Sequence, residues 1–176
     1  MASNKETRSF AGGFTSDGKM LRGYAAVWDS PAHISEGGRS FTEIIKRGSF
    51  RGAIESKADV VATYNHDMNR LLGRTAAGTL RLHEDERGLA FELDLPDHAA
   101  DVREMVQRGD LRGASFTFSP KKGGEQWDGN LRTLSDVFLY EIGAAVVMPA
   151  YPATSVGLRS RLPLLKLKLT AHEKTL

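Results

Sequence analysis

The sequence predicts an α+β protein that is predominantly β, with about seven strands in a closed or nearly closed barrel and helices packed outside. Three observations lead to this fold class. Short runs of alternating apolar and polar residues recur along the chain, and eighteen glycines accompany them, as expected for strands joined by turns. Only two segments have helical periodicity. These do not alternate regularly with the strands, which argues against a doubly wound parallel sheet.

Length and composition predict one domain with two flanking segments. The chain has 176 residues, of which 40% are apolar and 26% charged, with a net charge of +2 and no cysteine. We assign residues 1–20 to an N-terminal segment, 21–158 to the main domain and 159–176 to a basic and apolar C-terminal segment. No apolar run is long enough to span a membrane. Acidic and basic residues are interleaved, which argues against nucleic-acid binding, and the absence of cysteine excludes disulfides and thiol catalysis.

The first part of the domain is predicted to contain a strand, a loop and a helix. Residues 21–28 alternate as a strand does, and residues 29–39 form a polar, glycine-containing loop. The sequence Ser40-Phe41-Thr42-Glu43 has the spacing of a capping box, which predicts that a helix begins there. Its inward residues are expected to be Phe41, Ile44 and Ile45, and after a pause at Gly48 it resumes through Phe50 and Ile54.

A strand, a hairpin and a second helix follow. Residues 59–64 form the strand, which ends at Asn65-His66-Asp67. Residues 79–85 and 89–95 form the hairpin, because Glu86-Arg87-Gly88 supplies the glycine that such a turn requires. Asp97 is placed to cap a helix that runs to Arg108 and ends at Gly109.

Two strands complete the prediction. Residues 111–118 form one strand, and residues 131–148 form a long one that ends at Pro149-Ala150-Tyr151-Pro152. The first is the most informative part of the sequence, because its period of two places Ala114, Phe116 and Phe118 on a core face. Ser115 then lies on the opposite, more accessible face. It is either an ordinary strand residue or a nucleophile.

A serine nucleophile needs a neighbouring base that accepts its proton. Of five histidines, His66 is the best candidate, because it ends a strand inside a polar cluster and strand ends present side chains on a rigid support. The positions of the other four favour structural or solvent-exposed roles.

The base in turn needs an orienting group. Glu141 is one candidate, since a carboxylate in so apolar a strand requires a partner or water. A structural ion pair with an arginine explains it equally well. Asp67 is the alternative orienting residue, but it reaches the His66 ring only if the chain turns there.

Other chemistries have weaker support. His83, Glu84, Asp85 and Glu86 are of metal-binding types, but alternate residues of a hairpin arm diverge. We therefore expect no metal. No glycine motif is followed by the lysine and helix of a phosphate-binding loop.

Five segments, taken in order, resemble the prohead maturation proteases of tailed bacteriophages (the HK97 type), which are related to the herpesvirus assemblin serine proteases. The resemblance covers roughly residues 23–152. The segments are Gly23-Tyr24-Ala25-Ala26-Val27-Trp28, Phe41-Thr42-Glu43-Ile44-Ile45 with Gly48-Ser49-Phe50, Asn65-His66-Asp67 with Leu72-Gly73, Gly113-Ala114-Ser115-Phe116-Thr117-Phe118, and Glu141-Ile142 with Pro149-Ala150-Tyr151-Pro152.

The resemblance implies a seven-stranded barrel of the assemblin type with helices outside. It also implies a serine endopeptidase in which Ser115 is the nucleophile, His66 the base and Glu141 the third member, 26 residues after the serine. No cofactor is implied. The implied substrates are the scaffolding portion of the capsid protein and the protease itself, cleaved in the host cytoplasm inside the assembling prohead. A homodimer is the implied oligomer.

Two features depart from the resemblance. Thr117 stands two residues after the serine, where many relatives have glycine. Assemblins also use arginines beyond the third member to hold the oxyanion, but no arginine lies between Glu141 and Arg159. Backbone N–H groups are then the expected donors, with Arg112 as a helper. The alternative functions are a non-catalytic capsid-assembly protein that keeps the barrel and binds scaffold, and a small-molecule esterase.

Overall fold

The computed structural model describes residues 5–11, 15–17 and 19–146, and strands predominate in them. The strands are β1 Glu6–Ala11, β2 Thr15–Asp17, β3 Met20–Val27, β4 Ala32–Glu36, β5 Arg39–Ile45, β6 Val61–Tyr64, β7 Asp67–Arg74, β8 Leu80–Glu84, β9 Gly88–Asp94, β10 Gly113–Pro120, β11 Glu125–Asp128, β12 Leu131–Leu134 and β13 Val137–Val146. The helices are α1 Arg51–Glu55 and α2 Ala100–Arg108, the second preceded by a 3₁₀ turn at Asp97–Ala99. Among the described residues, no helix has the length and apolarity needed to cross a bilayer.

The strands pair into three sheets. A five-stranded sheet has the order β1-β10-β13-β6-β7, and the two four-stranded sheets have the orders β11-β12-β5-β4 and β2-β3-β9-β8. The predominantly β class is confirmed. The closed barrel of about seven strands is not found within the described residues, whose thirteen strands form open sheets. The predicted end of the last strand at residues 147–152 and the segment 159–176 lie outside the described residues.

The helix predicted at Ser40 is wrong, because these residues form strand β5. Phe41, Glu43 and Ile45 are buried and their neighbours are more exposed, which is the period of a strand. β5 pairs with β4 on one side and in parallel with β12 on the other. The predicted loop 29–39 accordingly contains β4. Pairing with residues distant in sequence overrides the local capping pattern, and of the helix predicted from Ser40 to Ile54 only the short α1 forms.

The second helix and the hairpin agree with the prediction, apart from the cap. β8 and β9 pair as the predicted hairpin, and Gly109 ends α2 with φ of 78°. Asp97 does not cap the helix, since no side chain caps either the 3₁₀ turn or α2. Instead the Asp97 carboxylate lies 2.5 Å from Lys19 Nζ.

The long strand predicted over residues 131–148 is divided between two sheets, and a bulge changes its faces. β12 and β13 belong to different sheets. Within β13, Glu141 is opposite Thr117 whereas Leu139 is opposite Phe118, so Tyr140 is an extra residue. A strict alternation of side chains along this strand would place Phe138 and Ile142 on one face. The bulge places them on opposite faces, with Phe138 outward.

The core contains the aromatic face of β10. Ala114, Phe116 and Phe118 are completely buried, as the alternation predicted. Phe50 lies edge-on to Phe116 at a centroid distance of 5.1 Å, and Phe116 lies 5.1 Å from Phe118. Burial of three large rings stabilises the strand by several kcal/mol on an order-of-magnitude estimate. The opposite face of β10 is thereby held in a fixed position.

A buried network of charges joins β1 to the sheet that contains β5 and β12. Arg8 Nε donates to Glu43 Oε1 at 2.7 Å, and Arg132 Nη2 donates to Glu6 Oε1 at 2.8 Å. Arg132 Nη1 also donates to Glu43 Oε2 at 3.1 Å. Burial acts to raise the pKa of Glu6, but hydrogen bonds and charge from Arg132 and Arg8 outweigh it and hold that pKa below its ordinary value.

We expect Arg132→Ala to lower the free energy of unfolding by about 3–5 kcal/mol, because it removes one of the two cations that hold the buried carboxylates of Glu6 and Glu43. Chemical denaturation measured at neutral pH tests this. The control is Arg22→Ala, which removes a half-exposed partner of Glu92 and should cost about 1 kcal/mol or less. Equal losses in the two variants would contradict a stabilising role of the buried network.

Candidate active site

Ser115 lies on β10, the second strand of the five-stranded sheet, on the face away from the aromatic core. β1 and β13 flank its strand and place Ser9 and Gly143 opposite it. The residue is completely buried, which corrects the prediction of an accessible serine. Strands flank it on both sides, and the His66 ring contacts its hydroxyl.

His66 is positioned by a two-residue turn between β6 and β7. Tyr64 pairs with Asp67, so Asn65 and His66 are the loop residues. Both have left-handed backbone conformations, with φ of 49° and 61°, as a hairpin turn of this length requires. The Asn65 N–H donates to the Ala145 carbonyl at 3.0 Å. The turn is thus fastened to β13 and directs the imidazole over it.

The imidazole reaches Ser115 across Gly143. His66 Nε2 lies 2.5 Å from Ser115 Oγ, a short hydrogen bond. A Cβ added at Gly143 would lie 2.1 Å from Ser115 Oγ and 3.0 Å from His66 Cε1. The space above this glycine is therefore what allows serine and histidine to meet. Sequence reasoning missed Gly143, since nothing in the local sequence distinguishes it from the other glycines.

Glu141 lies on the same face, two residues from Gly143. Its Oε2 is 3.2 Å from His66 Nδ1, but the buried Nδ1 atom is not aligned for a hydrogen bond with any described residue. The well-aligned donors are two threonines. Thr117 Oγ1 donates to Oε2 at 2.9 Å, and Thr63 Oγ1 donates to Oε1. Among the described residues, the ionisable group beside this carboxylate is thus the imidazole, and not an arginine.

The Glu141 carboxyl group is held in its ionised form. Burial acts to raise its pKa, but the close contact with the His66 imidazole and the hydrogen bonds from Thr63 and Thr117 outweigh burial and lower the pKa below its ordinary value. A negative charge beside Nδ1 favours the tautomer with the proton on that atom. Nε2 is then free to accept the proton of Ser115.

Thr63 and Thr117 were not predicted as site residues. The register of the sheet makes them neighbours of Glu141, because Thr117 is directly opposite Glu141 and Thr63 is beside Gly143 on the parallel strand β6. Thr117 is the position at which the sequence departs from the family pattern expected above, and its hydroxyl donates to Glu141.

The two remaining candidates have other partners. The Asp67 carboxylate accepts hydrogen bonds from the backbone and side-chain nitrogens of Asn69, at 2.9 and 3.1 Å. Arg112 Nε donates to the Gly109 carbonyl at 2.7 Å, at the end of α2. Asp67 was suggested to orient the base and Arg112 to assist at the oxyanion. No contact of either side chain with Ser115 or His66 supports these roles.

In the acidic segment of the hairpin, Glu84 and Asp85 form hydrogen bonds that stabilise the fold. Asp85 accepts hydrogen bonds from the Tyr24 hydroxyl at 2.6 Å and from two backbone N–H groups, and Glu84 accepts one from the Phe50 N–H. Among the described residues, no group of three His, Cys, Asp or Glu side chains is arranged to hold a metal ion.

A serine, an imidazole and a carboxylate arranged in this order on one face have the geometry of a serine hydrolase. The family model described as Caudovirus prohead serine protease matches residues 4–165. The chain therefore belongs to this family of capsid maturation proteases. No curated protein and no solved structure gives a significant match.

We expect Gly143→Ala to reduce peptide hydrolysis about 100-fold or more, because the new methyl group separates Ser115 from His66 and displacement by about 1 Å has effects of that size. Steady-state kinetics on a cleaved peptide measures the loss. Gly52→Ala in α1 is the control, since its Cβ would meet first the flexible end of Lys121. A Gly143→Ala enzyme with near-normal activity would show that the observed pairing is not the working one.

We expect Thr117→Val to lower kcat about tenfold with little change in KM, because a charge-assisted hydrogen bond to Glu141 contributes about 1.5–3 kcal/mol. Thr117→Ser keeps the hydroxyl and should restore most of the rate. If serine and valine give the same kcat, the hydroxyl does not position Glu141. Thermal melting of both variants separates this effect from loss of stability.

Proposed function

We propose that this protein is a serine endopeptidase with a Ser115–His66–Glu141 triad. We further propose that it cleaves the scaffolding portion of the phage capsid protein, and itself, inside the assembling prohead in the host cytoplasm. The observation that carries the triad is the 2.5 Å contact of Ser115 Oγ with His66 Nε2. The proposed substrates follow from membership of the prohead protease family.

Acylation begins when the Ser115 oxygen attacks the carbonyl carbon of the scissile peptide bond. The Ser115 proton passes to His66 Nε2, and a tetrahedral oxyanion forms. Glu141 stabilises the resulting imidazolium through its contact with Nδ1. His66 then gives the proton to the leaving nitrogen, the C–N bond breaks, and an ester joins the substrate to Ser115.

Deacylation repeats these steps with water as the nucleophile. His66 Nε2 accepts a proton from water as the water oxygen attacks the ester carbonyl. Collapse of the second tetrahedral species breaks the bond to Ser115, which takes its proton back from His66. The net reaction consumes one water molecule and releases a carboxylic acid and an amine.

Backbone N–H groups are the proposed donors to the oxyanion. Arg112 is bonded to Gly109 at the end of α2, and residues 142–158 contain no arginine. Main-chain N–H groups are common donors in such sites. They also carry no charge whose burial would have to be compensated.

The relation to the herpesvirus assemblins, with their seven-stranded barrel, is part of the same proposal. The order of the three site residues supports it, with the base first, the serine second and the third member 26 residues after the serine. Homodimerisation is the associated proposal. Sedimentation of the purified protein at several concentrations tests it without reference to activity.

We expect Ser115→Ala and His66→Ala to abolish cleavage of the capsid precursor, because nucleophile and base act as one unit. Glu141→Gln should lower kcat by about 10⁴-fold, since the amide no longer holds the required tautomer. Mass spectrometry of the precursor after incubation measures cleavage. Ser35→Ala and His83→Ala are matched controls on exposed strand positions.

The complementary experiment uses a serine-reactive phosphonate. It should label Ser115 in the unmodified protein and in the control variants, and should not label His66→Ala at a comparable rate. Substantial cleavage by Ser115→Ala would overturn the assigned nucleophile. A folded protein that binds the precursor without any cleavage would instead favour the assembly role, and turnover of esters alone would favour an esterase.

A further inference from the structure

A row of small hydroxyl side chains leads away from Ser115 along the outer face of the five-stranded sheet. Thr7 is opposite Thr117 and Ser9 is opposite Ser115, so these four residues share one face of β1 and β10. The two threonine oxygens lie 3.2 Å apart. Glu141 lies across from Thr117 on β13 and borders the row on that side. Because these side chains are short, the row forms a shallow surface beside the triad.

A surface pocket of about 560 Å³ lies at the far end of this row. Its lining includes Ser119, Pro120, Phe138 and Tyr140. Ser119 follows Ser115 by four residues on the same face of the strand, which places the pocket about 13 Å from the nucleophile at the rise of a strand. An extended peptide covers that distance in about four residues.

The pocket offers an aromatic surface. Phe138 is 51% exposed, because the bulge at Tyr140 turns it away from the core. The hydroxyl of Tyr140 is 2.8 Å from Ser119 Oγ, which holds the second ring at the pocket wall. Large apolar surfaces left open on a folded protein commonly mark binding sites.

The edge of the pocket is cationic. Lys5 Nζ lies 4.5 Å from the centre of the Tyr140 ring, and Lys122 is part of the pocket lining. Within the described residues, neither lysine forms an ion pair, whereas Glu6 and Glu125 of the lining are bound to Arg132. The available charge at the edge is thus positive and complements a carboxylate.

We propose that the pocket lined by Phe138 and Tyr140 is a specificity subsite. It binds a bulky apolar side chain of the substrate about four residues from the scissile bond, next to an acidic residue. This inference rests on the proposed protease function and adds the chemical class of sequence that the site selects. The row of hydroxyls between Ser115 and Ser119 is the path of the intervening residues.

The test is cleavage of a proteome-derived peptide library by the full chain, with cleavage sites identified by mass spectrometry. The unmodified enzyme should prefer an aromatic or large aliphatic residue about four positions from the cut, with Asp or Glu beside it. Phe138→Ala should lower kcat/KM for a preferred peptide about tenfold, the effect of removing a central aromatic contact. Lys122→Glu should remove or reverse the preference for the acidic neighbour.

The controls separate the subsite from the chemistry. A phosphonate probe too short to reach the pocket should label Ser115 at the same rate in Phe138→Ala and in the unmodified enzyme. Trp127→Ala removes another exposed aromatic ring, outside the pocket lining, and should leave the preference unchanged.

The outcomes are distinct. An unmodified enzyme that cleaves no peptide and is not labelled would overturn the proposed function. Active enzymes with the same preference in all variants would overturn the subsite alone. A Phe138→Ala variant that melts several degrees lower with an unchanged preference would also overturn it, because Phe138 would then be packed by the chain itself.

Discussion

The antiparallel pairing of β10 with β13 is the interaction on which the rest of the site depends. It sets Ser115 opposite Gly143 and Thr117 opposite Glu141, so one register brings the Ser115 hydroxyl to the space above the glycine and the Glu141 carboxylate to its threonine donor. A shift of one residue would send every side chain of β10 to the other face. The buried rings of Phe116 and Phe118 oppose such a shift. The core therefore fixes the geometry of the chemistry on the opposite face.

The imidazole is placed by backbone conformation rather than by packing of its own side chain. Asn65 tolerates a left-handed conformation well, and histidine adopts it more often than most residues. Strained turns of this kind persist only where surrounding structure holds them. Here the hydrogen bond from the Asn65 N–H to the Ala145 carbonyl holds the turn in place. The missing side chain at Gly143 leaves room for the imidazole. The sheet thus determines the position of His66 through its main chain.

Local patterns predicted the parts of this molecule that local interactions decide. The hairpin of β8 and β9, the glycine that ends α2 and the buried face of β10 could all be read from adjacent residues. The capping pattern at Ser40 failed because β12, about ninety residues later, pairs with that segment, and no local signal announces a partner so distant. For the same reason the bulge at Tyr140 escaped prediction. Strand alternation and strand ends pointed to Ser115 and His66, and an apolar strand made Glu141 a candidate, but family resemblance rather than spacing alone joined the three into a triad.

The buried charges connect this site to the N-terminal strand. β1 pairs with residues 113–118 of β10, and its two charged residues, Glu6 and Arg8, face inward to Glu43 and Arg132 on the neighbouring sheet. Apolar residues could fill that space with equal or greater stability. An ionic network differs from them in directionality, because two arginines and two glutamates satisfy one another in few arrangements. It therefore specifies the register of β1 against β10, and with it the row of hydroxyls beside Ser115.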